Sequence, residues 1–251
     1  MIFATTGGGN SLVEYNFSGK TVRTITAGLD NPQAVAVDAK GKIYVANYGD
    51  NTVTTYTKDG QQTTPTITAS LNEPVGVAVD AKGKIYVTNQ GNDTLTTYKS
   101  DGTQTTPTIA KNMNEPGFPA VDANGKIYVP QIKGNSVTTY TAKGKPTTPT
   151  ITKDISEPVQ VQVETSGKIW VTNFSGSGTG SVTTYTPTGK QTSPTITSRL
   201  SGPEGLALTA TKVCVANTSG LAITTYTLKG ALSKPIITNI DAVGIAVHAV
   251  P

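Results

Sequence analysis

The chain is poor in almost every group that does chemistry near neutral pH. Its 251 residues include one cysteine, one histidine and one tryptophan, and only 14% carry charge. A single cysteine, Cys214, excludes an internal disulfide, and it stands where the repeat described below has an aromatic, so it reads as a small core residue. His248 is the only imidazole available to activate a nucleophile. No Ser–His–Asp set, glycine-rich phosphate loop or zinc-ligand spacing is present. A general acid or base would therefore have to be a perturbed carboxylate. No apolar run approaches the ~20 residues that a membrane-spanning helix needs. The opening MIFATTGGGN lacks the basic start and long apolar stretch of a signal peptide. The threonine-rich, charge-poor composition leans toward a secreted or cell-surface location, with any leader removed.

What the chain does have is glycine, proline and a repeat. NPQAVAVDAKGKIYVAN at Asn31 returns as EPVGVAVDAKGKIYVTN at Glu73, EPGFPAVDANGKIYVPQ at Glu115 and EPVQVQVETSGKIWVTN at Glu157, then more loosely at Gly202. The anchoring residues Pro32, Pro74, Pro116, Pro158 and Pro203, with Ala242 in a degenerate last copy, lie roughly 42 residues apart, a period typical of propeller blades. Each unit reads as four strands. In the first unit these are a short apolar strand at Val35 to Val37, IYVAN at Ile43 to Asn47, a strand ending at Tyr56, and PTIT at Pro65 to Thr68. Pro65 and its counterparts Pro107, Pro149, Pro194 and Pro235 cannot donate a ladder hydrogen bond, so they belong on an outer edge. The C-terminus supplies an innermost strand at Val243 to His248, and the N-terminus supplies strands two to four of the same sheet. The expectation is an all-β, six-bladed β-propeller with four antiparallel strands per blade. It forms a single domain over 1–251, with a closing blade shared between 1–30 and 240–251. The other blades fall at about 31–72, 73–114, 115–156, 157–201 and 202–239.

The string from Pro74 to Asn89, PVGVAVDAKGKIYVTN, resembles the NHL repeat and the related YVTN repeats of bacterial and archaeal surface proteins. The resemblance spans nearly the whole chain. It implies a fold more than an activity, because such propellers include protein-binding and RNA-binding modules, sensors and lyases. Related six-bladed enzymes include amidating lyases and the gluconolactonase, paraoxonase and strictosidine synthase groups, which the resemblance links to a metal or acid in the central channel. The lyases use histidine ligands, which His248 alone does not supply. The lactonase groups use Glu, Asn and Asp, whereas the innermost strands here carry Ala, Val and Gly.

Placing the strands sorts the turns onto two faces. Turns joining strands one to two and three to four form a lysine-rich bottom, with Lys40, Lys42, Lys82, Lys84, Lys126 and Lys168 among its members. This basic plate fits solvated turns or an anionic surface. Nucleic acid fits poorly, since no aromatics interleave to stack bases. Asp38, Asp80 and Asp122 read as structural turn residues, and Asn47, Asn89, Asn173 and Asn217 as ties to the loops that follow them. The opposite, top face is acidic. Glu73, Glu115, Glu157 and Asp241 each precede an anchoring position, where a converging ring could hold calcium or simply cap the blade links.

Departures from the repeat mark the candidate ligand site. Blade three brings Phe118 and Pro119 into its innermost strand and ends the second with Pro130 and Gln131. Blade four carries Gln160 and Gln162 on its innermost strand and lengthens the loop from Phe174 to Gly180. Tyr48, Ile132 and Phe174 occupy equivalent top positions, and apolar groups over polar ones are what a pocket uses. Tyr48, Phe118, Gln131, Ile132, Gln160, Gln162 and Phe174 are thus the expected ligand-binding set. The reading is a monomeric, non-enzymatic binding propeller or scaffold that engages a protein, peptide or glycan by its top face and requires no cofactor. A channel-metal hydrolase or lyase of the lactonase type is the competing reading. A third is a cell-surface structural repeat, or a recently amplified or designed propeller.

Overall fold

The structure is a computed structural model that describes residues 1–175 and 178–248. Six four-stranded antiparallel sheets make up the propeller. In the first blade the strands are Pro32–Val37, Ile43–Asn47, Thr52–Tyr56 and Gln62–Ile67, ordered from axis to rim. The closing blade takes Ala242–Val247 as its innermost strand and Ile2–Thr6, Ser11–Tyr15 and Thr21–Ile25 as the rest. Ile2 pairs with Val247 and Ala4 with Ile245. The Met1 amino group donates to the His248 carbonyl at 2.7 Å, and the His248 N–H returns to the Met1 carbonyl at 3.0 Å. The two ends of the described chain therefore meet in one sheet. Among the described residues no helix is long and apolar enough to cross a membrane.

Burial explains the strand compositions. Ile43–Asn47 is buried at all five positions because its two faces pack against neighbouring blades, so the apolar run is unbroken. The rim strand Gln62–Ile67 alternates between exposed and partly buried positions, as one solvated face requires. Observed strands run longer than their apolar cores suggest. The innermost begins at the anchor, where Pro32 pairs with Asn47, and the rim strand begins at Gln62, which pairs with Tyr56 before Pro65 shifts the register. The Thr64–Pro65 bond and its four counterparts are cis.

Three repeated devices hold the blades. First, the hydroxyl ending the third strand reaches back to the preceding blade link. Tyr56 donates to the Ala27 carbonyl, Tyr98 to Ala69, Tyr140 to Lys111, Tyr185 to Lys153 and Tyr226 to Ser198, at 2.6 to 2.9 Å. Each such buried bond contributes about 1 kcal/mol net. Second, Asp38 Oδ1 accepts the Lys40 and Lys42 N–H groups while its Oδ2 accepts the Tyr44 hydroxyl, and Asp80 and Asp122 repeat the pattern. Lys42 then lies 5.5 Å from the Tyr44 ring centroid and donates to the Thr64 carbonyl, fastening the turn to the rim. In blade four Trp170 and Glu164 take the Tyr and Asp roles, with Lys168 over the indole. Third, a threonine on the second strand donates to the next blade's innermost strand. Thr5 reaches the Gln33 carbonyl, Thr88 reaches Gly117 and Thr172 reaches Glu204, at 2.8 to 2.9 Å.

Blade three departs from this regularity. Its innermost strand is paired as a strand only at Ala120–Val121, with an isolated bridge from Pro116 to Gln131. The intervening chain leans to the next blade. The Phe118 N–H donates to the Val159 carbonyl at 2.7 Å, and the Val161 N–H to the Phe118 carbonyl at 3.3 Å. Proline at 119 has no N–H for its own ladder, which releases this segment to its neighbour. Gly117 makes the approach tolerable, since a Cβ there would lie 2.2 Å from the Val159 carbonyl oxygen.

Candidate functional site

The axis holds two recesses. The lower, about 180 Å³, lies among the C-terminal halves of the innermost strands and is lined by Val35, Val37, Val77, Val79, Val121, Val163, Leu208, Ile245 and Val247, together with Gln160 and Gln162. No charged side chain lines it. The upper, about 210 Å³, opens among the N-terminal ends of the same strands. Gln33, Val75, Gln90, Phe118, Ile132, Glu157, Val159, Phe174 and Glu204 form its walls. Val75, Phe118, Val159 and Val243 belong to one buried apolar cluster that packs at this end of the axis, with Tyr48 and Phe174 against it.

Glu204 is the chemically distinctive group. It follows the anchor Pro203 on the innermost strand of blade five, Pro203–Leu208, where the equivalent positions in three other blades are Val75, Val159 and Val243. Burial is the main reason its carboxyl is pushed up to about 7. The nearby Asp241 charge adds to the rise, and a hydrogen bond with Thr218 opposes it. Glu204 corrects the expectation that the innermost strands, carrying Ala, Val and Gly, lack a carboxylate toward the channel. Aligning the residue after each anchor (Gln33, Val75, Gly117, Val159, Glu204, Val243) would have singled it out.

The expected ligand-binding residues divide by what their polar atoms do. Phe118, Ile132 and Phe174 line the upper recess. Tyr48 packs beside it, its hydroxyl turned to Glu73; burial and that carboxylate push the phenol up. Gln131 is consumed by the fold. Its Oε1 accepts the Asn114 N–H at 2.7 Å and its Nε2 donates to Thr138 at 2.8 Å. It replaces the asparagine that in other blades does the same work: Asn89, Asn173 and Asn217 accept N–H groups from Asn72, Ser156 and Ser201. These oxygens hold the preceding blade link, while the Nδ2 groups of Asn47, Asn89 and Asn217 donate across the following loop to Thr52, Thr94 and Ala222, so the asparagines tie the loops on both sides. Gln160 is also engaged, its Oε1 accepting the Leu206 N–H of blade five at 2.6 Å. Gln162 faces the lower recess, at the other end of the axis from Phe174. The centre of the lengthened loop, residues 176–177, lies outside the described residues. Gln33 and Gln90 complete the upper lining without having been expected there, and Glu157 lies at the mouth where the link carboxylates were expected.

The four link carboxylates do not form a ring of ligands. Among the described residues no three His, Cys, Asp or Glu side chains converge as a metal ion would need. Glu115 pairs with Lys133 at 2.6 Å and accepts from Gln90 at 3.3 Å, and with Glu73 it borders a separate recess. Glu157 lines the central mouth, and Asp241 approaches Gly8 on the closing blade. Carboxylates, imidazole and thiol therefore do not gather at the axis among the described residues. What the link positions share is backbone. Glu73, Glu115 and Glu157 have φ of 50, 54 and 45°, and their carbonyls accept the N–H groups of Gln90, Ile132 and Phe174. Their own N–H groups donate to Asn51, Asp93 and Asn135, at the strand-two to strand-three turn of the blade before.

No family model matches the chain, and no curated protein matches it in sequence. Solved structures do match. A streptogramin B lyase is 18% identical with a TM-score of 0.73, over 97% of this chain and 82% of that one. A virginiamycin B lyase from Staphylococcus aureus is 17% identical with a TM-score of 0.73, over 96% and 83%. A nidogen/laminin complex yields 16% identity and a TM-score of 0.79, over 98% and 96%. The chain is a six-bladed β-propeller. Its neighbours include both a lyase and a member of a protein complex, so the architecture is compatible with either role and decides between them no further.

Proposed function

We propose that the protein is a non-enzymatic binding propeller that engages a protein or peptide segment through its top face. The observation that carries this reading is the upper recess, where two phenylalanines and two valines line the wall beside two glutamines and two carboxylates. Few polar groups over an apolar floor orient a ligand without transforming it. The protein-complex neighbour, similar over nearly its full length, supports the use of this fold for docking. The test is binding to a displayed peptide library, repeated with Phe174→Ala. Removing a partly exposed ring leaves the fold intact and should weaken selected ligands at least tenfold, the loss of a central aromatic contact. Equal binding by both forms would move the site elsewhere.

One observation favours a hydrolase or lyase as a second reading, namely Glu204, a carboxylate poised near neutrality at the axial mouth. It has no imidazole to work with, because His248 lies beside Gly41 on the bottom turns. Turnover of a lactone or ester panel with a pH profile centred near 7, abolished in Glu204→Gln, would establish that reading in place of the first.

A further inference from the structure

We infer that the upper recess seats the cationic end of a side chain carried on an apolar stem, a lysine or arginine of an extended peptide, with Glu204 as its counter-charge. This rests on the binding reading above and names the chemistry of the occupant. Val75, Phe118, Val159 and Phe174 provide an apolar sleeve for a hydrocarbon stem, two of its members being aromatic rings of the kind that attract cations. The charges at the mouth have one sign. Glu204 enters from blade five, Glu157 from the link before blade four and Asp241 from the link before the closing blade; among the described residues no Lys, Arg or His lines the recess. Gln33 and Gln90 add amide oxygens that accept from an ammonium or guanidinium.

The second line is energetic. Propeller packing accepts valine at this position, as Val75, Val159 and Val243 show, whereas a carboxylate half-sunk among apolar groups is held in a costly state. Residues that a fold would rather exchange cluster where a ligand repays them. A cation in the recess would displace the proton that Glu204 holds near neutrality. Binding should then strengthen as pH rises through 7, because the ionised fraction grows roughly tenfold between pH 6 and 8 for a group titrating near 7.

The experiment titrates the full chain, by calorimetry or chemical-shift mapping, with the peptide acetyl-GGKGG-amide and its analogue carrying norleucine in place of lysine. The expected result is at least tenfold tighter binding of the lysine peptide at pH 8, falling toward the norleucine value at pH 6. Glu204→Gln should erase both the preference and the pH dependence, while its melting curve at pH 6 shows a folded protein. Equal affinity for the two peptides overturns the inference, as does a lysine preference that survives Glu204→Gln, or no binding of either at millimolar concentration. Neutral peptides from the library that bind and are lost in Phe174→Ala would overturn it too, yet leave the binding reading standing.

Discussion

The outer three strands of each blade and the innermost one obey different rules. Outward of the axis the same hydrogen bonds recur from blade to blade: tyrosine to the preceding link, aspartate to its own turn, lysine to the carbonyl before the rim proline. At the axis no two innermost strands share a sequence, and the residue after the anchor is valine in three blades (Val75, Val159, Val243) but Gln33, Gly117 and Glu204 in the others. Repetition marks where the fold alone sets the residue. Variation around a shared, tightly packed axis marks where something other than the fold does.

The sharpest way to test that contrast is to impose a side chain where the axis has no room. At Gly244 an added Cβ would sit 2.3 Å from the Gln33 carbonyl oxygen and 2.7 Å from the Ala34 Cα. Backbone on both sides leaves no easy relief, so Gly244→Ala should cost about 3 kcal/mol in a denaturant melt, the upper end for overpacking. A loss under 1 kcal/mol would mean that the axis is looser than its contacts imply.

Glu204 gives the next largest effect, with the opposite sign. Its carboxyl stands at about 7 in the folded chain against an ordinary 4.5, so the native state holds the proton more tightly than the unfolded state does. The resulting penalty is absent below about pH 4.5, grows as pH rises, and is complete above about 7. Glu204→Gln should therefore stabilise the protein by about 2 kcal/mol at pH 8 and leave it unchanged at pH 4. Equal melting of the two forms at both pH values would show a well-solvated carboxylate. The third-strand tyrosines give the smallest effect and the most uniform one. Tyr98→Phe should cost about 1 kcal/mol, and the same change at Tyr56 or Tyr226 should match it. Tyr15 engages Thr21 instead of a preceding link, so Tyr15→Phe should cost less; unequal losses among the first three would break the claim of interchangeable third strands.

The division also explains what the sequence could reveal. Periodicity, turn chemistry and edge prolines are local, and they were enough for six blades, four strands each and a shared closing sheet. Partners across blades are not local. Asp38 is readable as a turn residue, but its bond to Tyr44 depends on sheet register. Gln160 and Gln162 share a face by the period of two and do line one recess, yet only packing shows that the Leu206 N–H captures the first. Glu204 is not legible as an axial carboxylate, because a three-residue apolar core does not indicate where its strand meets the axis. Cys214, read as a core residue, is buried at 2% exposure.

The threonine ties have a consequence for symmetry. They join the closing blade to the first, the second to the third, and the fourth to the fifth, while Ala46, Pro130 and Ala216 hold the corresponding positions at the intervening seams. Six similar blades are thus stitched as three doublets. Each doublet offers its neighbours a seam without that stitch, and the two seams flanking blade four acquire private fastenings: Phe118 to Val159 on one side, Gln160 to Leu206 on the other. The threonine ties thus follow a three-fold pattern on a six-bladed ring, and blade four is fastened to both neighbours by bonds found nowhere else in the repeat.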